Sequence, residues 1–343
     1  MTKMYEELLS EPTVIKNSLA NNATTILAIV RELSKRGITN ISTVARGTSD
    51  NATICFKYVC EILTGIPVSE FHPSVITMYK SRVSLIDNMT IAISQSGKSI
   101  DTLAVLDTSR KAGALTVAIT NDPESPLAKI AHYHLDLSAG EEKSVAATKT
   151  FIAELVTLYS LAIAMNGQTT EDNLELLPAE LEKIFKLQEE INAFAQEIIH
   201  INEYIILTRG PMQGVGKEFS LKLAECTYSF GHFYSINDFM HGPLALVSEG
   251  TNIFMLAPDG ECTENYTEMA TRLNLLGANL YTLSDIKQIE TMSKVSIKMP
   301  KTDYISSTVL YGTACHLLVH ALAIAKGLNP DKPRNLKKIT ITK

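Results

Sequence analysis

The stretch MTIAISQSGKSIDTLAVLDTSRKAGALTVAIT, Met89 to Thr120, decides the fold class because two apolar runs in it enclose a helical pattern. The runs MTIAIS and LTVAIT have the length and composition of buried strands, and IDTLAVLDTSRKAG between them has the spacing of a helix. A strand, a helix and a second strand in this order form the basic unit of a parallel sheet with helices on its faces. The sequence therefore predicts an α/β fold.

The same order of elements occurs twice along the chain. NISTVARG precedes the first copy of the pattern, and EYIILTRG, TNIFMLAP and NLYTLSD repeat the plan further on. Arg46-Gly47 aligns with Arg209-Gly210 at an offset of 163 residues (209 − 46), and Gly113-Ala114 aligns with Gly277-Ala278 at 164 (277 − 113). We expect two tandem repeats, each a parallel sheet flanked by helices. The expected boundaries are an N-terminal helical arm at 1–34, a first repeat at 35–165, a helical linker at 166–189 with Asp172 as its cap, a second repeat at 190–325, and a C-terminal tail at 326–343.

Charge and cysteine content narrow the class of protein. The 343 residues include 31 Lys and Arg against 37 Asp and Glu, with a formal net charge of -6, which argues against a nucleic acid or an anionic membrane as partner. The acidic residues near the N-terminus do not fit a signal peptide. We expect no membrane span, because Glu154 and Ser160 interrupt the longest candidate, which ends in LAIAM. Five cysteines without metal-ligand spacing favour reduced thiols, so a globular cytoplasmic protein is expected.

The polar loop after MTIAIS is the first candidate site. A loop of Ser94, Gln95, Ser96, Gly97 and Ser99 at the carboxyl end of a parallel strand lies where open α/β sheets bind ligands. Backbone N–H groups at the start of the next helix, together with hydroxyl groups, suit a phosphate, and Gly97 allows close approach or a positive φ. The same residues also suit a simple turn and helix cap. This stretch alone leaves both interpretations open.

Two comparisons within the sequence bear on this loop. The tripeptide GKS resembles part of a nucleotide P-loop, but that motif needs a glycine five positions before Gly97, where the chain has Ala92. The offset of 163 carries residues 94–97 onto Ala257, Pro258, Asp259 and Gly260, so the second repeat keeps the glycine and lacks the hydroxyls. A structural turn would be retained in both repeats. The hydroxyl cluster is therefore interpreted as a phosphate-binding feature of the first repeat.

Four further stretches carry a resemblance to a known family: RGTSDN at Arg46, AGEEKSVAATKTF at Ala139, KLAECTYSFGHFYSINDFMHGPLAL at Lys222 and DKPRNLKKITITK at Asp331. Together, and in this order, they resemble the signature stretches of the sugar isomerase (SIS) family. The chain is similar to the isomerase half of glutamine:fructose-6-phosphate aminotransferase. In the stretch AGEEKSVAATK, and in its expected lack of a glutaminase half, the chain is more similar to glucosamine-6-phosphate deaminases built on the same fold.

The resemblance implies a role for individual residues. It implies that Ser94, Gln95, Ser96, Gly97 and Ser99 hold a sugar phosphate with Ser49 nearby, and that Val145 and Ala147 line the sugar. Ser99 replaces the usual threonine of the synthase, and Ala147 replaces a serine. The resemblance further implies that Glu225 is the acid/base for proton transfer and that Lys222 is its companion. By the same resemblance, His241 opens the sugar ring from a neighbouring subunit, and Lys338 lies over the substrate.

The chemistry of sugar isomerisation accounts for these residue types. A proton that moves between carbons 1 and 2 needs one carboxylate near both carbons, a histidine suits proton transfer at the ring oxygen, and a lysine stabilises developing negative charge. Each assignment has a plain alternative. Glu225 is in a position where a glutamate is usually only solvated, and HGP at His241 is also a common turn.

The remaining histidines are interpreted as structural. His316 and His320, four residues apart on one helix, have no third ligand in a motif and are expected to pack in a core, and His132 and His134 are expected on one face of an edge strand. We therefore expect no metal and no other cofactor.

The sequence favours an isomerase of amino sugar phosphates, with deamination of glucosamine 6-phosphate to fructose 6-phosphate and ammonia as the preferred reaction. Alternatives are synthase-like isomerisation, deamination of a related amino sugar phosphate, or deglycation of a sugar phosphate joined to an amino acid. A non-catalytic sugar-phosphate sensor is the alternative from another class; it would not need Glu225, His241 and Lys338 together. The expected partners are a small sugar phosphate and a second copy of the chain, in a homodimer with His241 acting in trans.

Overall fold

The computed structural model describes residues 1–168 and 174–338. Its chain divides into two compact units, which are considered separately. The first unit consists of Ser10–Glu142, Lys149–Pro178 and Asn335–Lys343, and the second unit consists of Met1–Leu9, Lys143–Thr148 and Ala179–Arg334. Residues 169–173, which include the helix cap expected at Asp172, and residues 339–343 of the expected tail lie outside the described residues.

The elements up to residue 165 alternate between strands and helices. In chain order they are α1 (Lys3–Leu9), α2 (Glu11–Arg36), β1 (Asn40–Val44), α3 (Thr48–Thr64), β2 (Val68–Glu70), α4 (Ser74–Thr77), β3 (Asn88–Ile93), α5 (Ile100–Lys111), β4 (Leu115–Thr120), α6 (Pro126–Ile130), β5 (Tyr133–Asp136) and α7 (Lys149–Met165). All except α1 belong to the first unit. Their strands form one parallel sheet in the order β2-β1-β3-β4-β5.

The opening stretch forms the centre of this sheet. Every residue of β3 and β4 is buried, as expected for parallel strands covered by helices on both faces, and Ile91 pairs with Val117. Helix α5 packs Val105 and Leu106 against this core. The strand, helix and strand predicted from Met89 to Thr120 are confirmed, and so is the α/β class.

The elements after residue 176 repeat the plan. In chain order they are α8 (Leu177–Phe185), α9 (Gln188–Glu197), β6 (Glu203–Thr208), a 3₁₀ turn (Gly210–Met212), α10 (Gln213–Lys222), a π-helical turn (Leu223–Thr227), β7 (Phe230–Ser235), α11 (Ile236–Met240), a 3₁₀ turn (Pro243–Leu246), β8 (Asn252–Ala257), α12 (Thr263–Leu275), β9 (Asn279–Ser284), α13 (Lys287–Met292), β10 (Val295–Lys298) and α14 (Tyr304–Ala325). The sheet order β10-β9-β8-β6-β7, read in reverse, matches the order in the first unit strand for strand. The expected duplication therefore extends to topology.

His132 and His134, which the sequence predicts on an edge strand, lie beside β4. Strand β5 is at the edge of its sheet and contains His134, whose Nε2 lies 2.8 Å from Thr120 Oγ1. His132 precedes the strand, and its Nδ1 lies 2.7 Å from Thr116 Oγ1. Both rings thus face threonines of β4.

Helix α14 corrects the expectation that no segment could span a membrane. Among the described residues it is one helix of 22 residues that is long and apolar enough to do so, and 83% of its most apolar window is buried inside the structure. Core helices that are covered on all sides satisfy the same criterion. The expectation that the longest apolar candidate ends in LAIAM was wrong, because α14 has no Asp, Glu, Lys or Arg within Tyr304–Ala325.

Candidate functional site

The loop 94–99 follows β3 at the carboxyl end of the first sheet and leads into α5. The backbone N–H of Ser94 donates to the carbonyl of Ile119 on β4 (3.1 Å), and the N–H of Gly97 donates to the carbonyl of Ser94 (2.9 Å). Gly97 has a φ of +61°, and a Cβ at this position would lie 2.2 Å from Ser125 Oγ. Both the left-handed backbone and the close approach require glycine. The loop is therefore held on one path by its backbone.

The serines of the loop were open to two interpretations, capping or phosphate binding. Ser99 is the N-cap residue of α5, but within the described structure its side chain makes no capping hydrogen bond, and its Oγ instead accepts from Thr102 Oγ1 (3.0 Å). Ser96 Oγ accepts a hydrogen bond from the backbone N–H of Lys98 (3.3 Å). Ser94 is buried, whereas Gln95, Ser96 and Ser99 are partly exposed. Capping does not account for Ser99, and phosphate binding stays a prediction for the loop.

Ser49 has a defined partner in the first unit. It lies in the first turn of α3, after Gly47 with a φ of +58°, and its hydroxyl donates to Glu154 Oε1 on α7 at 2.7 Å. Both side chains are buried. Because strands β1 and β3 are neighbours, the start of α3 and the loop 94–99 share the carboxyl edge of the sheet. The proton of the Ser49 hydroxyl is directed to Glu154, so Ser49 would meet a ligand as an acceptor or after rotating.

The C-terminal lysine pairs with an acid that sequence reasoning missed. Lys338 Nζ lies 2.7 Å from Glu142 Oε2, and the Glu142 carboxylate also accepts from Thr150 N (3.2 Å) and Thr150 Oγ1 (2.9 Å). The Glu142 side chain is fully buried, and the Lys338 side chain is 27% exposed. A buried carboxylate fixed at the start of α7 thus holds the lysine. The second glutamate of AGEEKS was the available signal.

The segment 143–148 belongs to the second unit and carries Val145 and Ala147. The Glu7 carboxylate accepts hydrogen bonds from the backbone N–H groups of Lys143 and Ser144, and the N–H of Val145 donates to the carbonyl of Asp331 (3.3 Å). Val145 and Ala147 are both partly exposed. Their contact with a sugar, implied by the resemblance, stays a prediction.

Glu225 and Lys222 form an ion pair in the second unit. Lys222 ends α10, and Glu225 lies in the π-helical turn that continues it, with Glu225 Oε2 2.6 Å from Lys222 Nζ. The Lys222 side chain is 1% exposed and the Glu225 side chain 21% exposed. Single π turns inside helices occur often at functional sites. Glu225 is therefore a positioned carboxylate with solvent access rather than a freely solvated one.

Lys222 has a second carboxylate partner, Glu218, which is buried and helps to keep the lysine charged. Glu218 Oε1 lies 3.4 Å from Lys222 Nζ and 3.4 Å from His316 Nε2, and these three side chains are almost completely buried. Burial by itself would lower the pKa of Lys222, but Glu218 and Glu225 together raise it above the usual lysine value. Lys222 therefore stays protonated beside Glu225. Burial also raises the pKa of the neighbouring Cys226 thiol to about 12, so that group stays uncharged.

Glu218 was missed by sequence reasoning, although its spacing was visible. Glu218, Lys222 and Glu225 are four and three residues apart, which places them on one face of a helix. His316 is buried, as expected for a core histidine. His320 is partly exposed, lies 2.9 Å from Thr2 Oγ1 through its Nε2, and stacks on Tyr5. In the described parts of the chain, no three His, Cys, Asp or Glu side chains group as a metal site would require.

His241 lies in an exposed turn of the second unit. It follows α11 directly, and its backbone N–H donates to the carbonyl of Asp238 (3.1 Å). Gly242 follows with a φ of +156°, and the 3₁₀ turn begins at Pro243. HGP is thus a turn, as its composition indicates, with an exposed histidine at its start. Its role in ring opening stays a prediction.

The predicted site residues are therefore divided between the two units. The first unit contains Ser49, the loop 94–99 and Lys338, and the second unit contains Val145, Ala147, Lys222, Glu225 and His241. One hydrogen bond, from Lys222 Nζ to Glu225 Oε2, brings Lys222 and Glu225 together. The carboxyl edge of the first sheet brings together the start of α3 and the loop.

Comparison with known proteins gives the family. The model of the SIS domain matches residues 32–164 and 197–321. Glutamine--fructose-6-phosphate aminotransferase [isomerizing] of Thermococcus kodakarensis is 32% identical over 348 residues, which cover 98% of this chain and 57% of that protein. The enzyme of the same name from Escherichia coli K12 is 29% identical over 98% of this chain and 58% of its own length. The chain thus spans less than three fifths of these relatives.

Solved structures show the same fold over nearly the whole chain. The C-terminal domain of glucosamine-fructose-6-phosphate aminotransferase from Francisella tularensis matches with a TM-score of 0.88 and 26% identity, covering 97% of this chain and 98% of that one. A glucosamine-6-phosphate deaminase from Thermotoga maritima matches with a TM-score of 0.77 and 23% identity, covering 99% and 100%. At that identity the second likeness concerns the fold alone. The chain belongs to the SIS domain family and carries the domain twice.

Proposed function

We propose that this chain is an enzyme that isomerises amino sugar phosphates, and that its reaction is the deamination of glucosamine 6-phosphate to fructose 6-phosphate and ammonia. The observation that carries the proposal is the Lys222–Glu225 pair, a partly exposed carboxylate fixed by a buried, charged lysine. The hydroxyl-rich loop 94–99 would supply the phosphate site. The relatives named as isomerizing aminotransferases support this class of substrate.

The reaction needs one proton to move between neighbouring carbons. In the open-chain aldehyde, the Glu225 carboxylate takes the proton from carbon 2 while oxygen 1 gains a proton from solvent, which gives an enolamine. The same carboxyl group returns a proton to carbon 1 while the amino group loses one to solvent, which leaves an imine at carbon 2. Water adds to this imine, the carbon–nitrogen bond breaks, and fructose 6-phosphate and ammonia leave. Substrate plus one water thus equals the two products, with no oxidation or reduction.

The neighbouring groups have separate tasks in this scheme. Lys222 stays charged and holds the Glu225 carboxylate in one orientation, so that the carboxylate is positioned to act as a base. The exposed imidazole of His241 would carry the proton between the ring oxygen and carbon 1 hydroxyl during ring opening. Lys338, held by Glu142, would stabilise negative charge that develops on oxygen 1.

Synthase-like isomerisation is the second candidate. It is favoured by the relatives at about 30% identity, which are named as aminotransferases. The feature that favours release of ammonia is AGEEKSVAATK, with Ala147 where the synthase has a serine. Deglycation of a related sugar phosphate uses the same proton transfer and differs only in the amine that leaves.

The cellular compartment of the reaction is proposed from the reduced state of the cysteine side chains. All five cysteines, each within the described residues, are thiols rather than disulfides in the structure, and four of them are buried. Reduced thiols persist in the cytoplasm. We place the reaction there, with a homodimer as the acting species.

The test is a panel of sugar phosphates assayed for ammonia and for ketose. Glucosamine 6-phosphate, its carbon 4 epimer and a fructose 6-phosphate adduct of an amino acid are each incubated with the full chain. Ammonia and fructose 6-phosphate formed in equal amounts from glucosamine 6-phosphate are expected. Ketose–aldose exchange without ammonia would favour the synthase-like candidate, and tight binding of a sugar phosphate without turnover would show a sensor.

A further inference from the structure

Arg46 is a cation beside the predicted phosphate loop, and no role has so far been assigned to this arginine. It follows β1, and the register of the neighbouring strands pairs Val44 of β1 with Ala92 of β3. Two residues later along each strand, the chain reaches Arg46 and Ser94, so both leave the sheet side by side at its carboxyl edge. Arg46 thus begins at the place where the loop begins.

The Arg46 side chain is directed to the helix that follows the loop. Its Nη2 donates to Asp101 Oδ2 at 2.9 Å, and Asp101 lies in the first turn of α5, two residues after Ser99. The Asp101 side chain is 7% exposed, whereas the Arg46 side chain is 51% exposed. The buried carboxylate therefore fixes one edge of the guanidinium while half of the arginine side chain faces solvent.

This geometry is that of an oriented anion ligand. A guanidinium carries five N–H donors in a rigid plane, so one hydrogen bond to Asp101 leaves other donors for a phosphate. A carboxylate in the first turn of α5 would repel a phosphate at the same helix end, and Arg46 neutralises that charge. A surface arginine without a fixed partner would have to lose its rotational freedom on binding. The pairing with Asp101 has already restricted Arg46.

We propose that Arg46 is a further ligand of the substrate phosphate, oriented by Asp101. The inference rests on the proposed function, because it assigns Arg46 to the phosphate of that substrate. Arg46 is a binding and positioning residue in this scheme and touches no reacting carbon. Its loss weakens binding and leaves the rate at saturation largely unchanged.

The experiment compares variants of the full chain by calorimetric titration with fructose 6-phosphate and by KM and kcat for the accepted substrate. Arg46→Met is expected to raise Kd and KM by about tenfold or more, as for loss of a charged hydrogen bond, with kcat within about threefold. Arg46→Lys keeps the charge without the planar fork and is expected to lie between wild type and Arg46→Met. Arg110→Met is the matched control. Arg110 is an exposed arginine in the last turn of α5, the helix that contains Asp101 in its first turn.

The double variant Arg46→Met, Asp101→Asn separates a phosphate ligand from a mere charge partner. If Arg46 binds the phosphate, the double variant still binds fructose 6-phosphate weakly. Wild-type affinity in the double variant would overturn the proposal, because Arg46 would then only neutralise the charge of Asp101. Unchanged affinity in Arg46→Met, or an equal loss in Arg110→Met, would also overturn it. Should wild type itself neither bind nor convert a sugar phosphate, the proposed function fails, and that outcome is distinct from failure of Arg46 alone.

Discussion

At the scale of single residues, the side-chain contacts of Ser99 distinguish a loop that binds a ligand from a loop that only caps a helix. Its side chain makes no cap in the described structure, whereas Asp303 caps α14 by accepting from Ile305 N (2.8 Å) and Ser306 N (3.0 Å). A capping side chain contributes about 1 kcal/mol to stability. The stability of the helix and the binding of phosphate can therefore be separated by mutation.

Ser99→Ala is expected to raise KM by about tenfold or more, because a hydrogen bond to a charged phosphate is lost, while the melting temperature stays near that of wild type. Ser96→Ala should behave in the same way. Asp303→Ala, the control, is expected to lower the melting temperature and leave KM unchanged. Steady-state kinetics and thermal melting of the three variants decide. A destabilised Ser99→Ala with normal KM would return that serine to the role of a cap.

Lys222 is expected to matter for stability as well as for catalysis. Lys222→Met leaves the buried carboxylate of Glu218 without its lysine, and removal of one partner of a buried ion pair costs about 3–5 kcal/mol. Because its pKa is raised, the contribution of Lys222 is complete below its unfolded pKa and is lost only as pH rises through the higher folded value. The loss of stability should thus be equal at neutral and mildly alkaline pH.

Urea unfolding of Lys222→Met provides the measurement, and Lys217→Met is the control, because Lys217 is an exposed lysine of the same helix. Adding Glu218→Gln to Lys222→Met should restore part of the lost stability. A Lys222→Met variant as stable as Lys217→Met would show that the pair is not a structural ion pair.

The sequence allowed the prediction of site residue types but not of their partners. Glu225, Lys222 and His241 were reached through motif resemblance, and their roles stay predictions. The Ser49–Glu154 and Lys338–Glu142 pairs join residues 105 and 196 positions apart. Such pairs depend on how α3, α7 and the C-terminal segment pack, and a single sequence does not specify that packing.

At the scale of elements, the turn at Gly97 sets the path of the phosphate loop. Gly97→Ala introduces a Cβ into a left-handed residue and into contact with Ser125. Gly37 has nearly the same φ, +63°, but a Cβ there would meet no atom within 4 Å. Gly37→Ala therefore reports the cost of the backbone conformation alone.

We expect Gly97→Ala to lose at least about 1 kcal/mol more stability than Gly37→Ala, because overpacking adds to the cost of the left-handed backbone. It should also raise KM, since the loop moves. Denaturant unfolding and kinetics on both variants test this. Equal losses of stability in the two variants, with normal KM in Gly97→Ala, would mean that the loop tolerates the side chain.

Elements with a clear period were predicted well, and uniformly apolar or irregular elements were not. The strands β3 and β4 and the helix between them were recognisable by length and composition. Helix α14 is buried on all sides, so its sequence lacks the polar stripe that separates a core helix from a membrane span. The π-helical turn at 223–227 leaves no period in the sequence, since it adds one irregular turn at the end of the regular helix α10.

At the scale of the whole molecule, the duplicated units have diverged at corresponding loops. Where the first unit has the hydroxyl loop, the second has Asp259, whose Oδ2 lies 2.6 Å from Lys301 Nζ. The hydrogen bond from Lys301 lowers the pKa of Asp259, so the carboxylate stays negative and disfavours a phosphate. The duplication itself was predicted from two pairs of landmarks in the sequence, at offsets of 163 and 164 residues. The consequence for charge at the second loop required the structure.

The proposed dimer can be tested by mixing two inactive variants, Glu225→Gln and His241→Asn. If the exposed His241 serves the neighbouring subunit, each heterodimer has one site with both lesions and one site with neither. An equal mixture at full exchange is then expected to recover about a quarter of wild-type activity, because half the dimers are mixed and a symmetric dimer has two sites. Exchange is verified first with tagged subunits. A mixture that stays inactive after proven exchange, or a fully active monomer, would contradict action in trans.

The role of Glu225 as the base is tested by following the proton that moves between carbons 2 and 1. Wild type and Glu225→Gln are each incubated with glucosamine 6-phosphate in deuterated water, and deuterium at carbons 1 and 2 of the sugar phosphate is measured by proton NMR. Wild type is expected to form fructose 6-phosphate with deuterium at carbon 1. Glu225→Gln should bind the sugar phosphate with similar affinity and incorporate none, because the amide has the carboxylate's shape but does not accept the proton. Deuterium incorporation at the wild-type rate in Glu225→Gln would show that Glu225 is not the base.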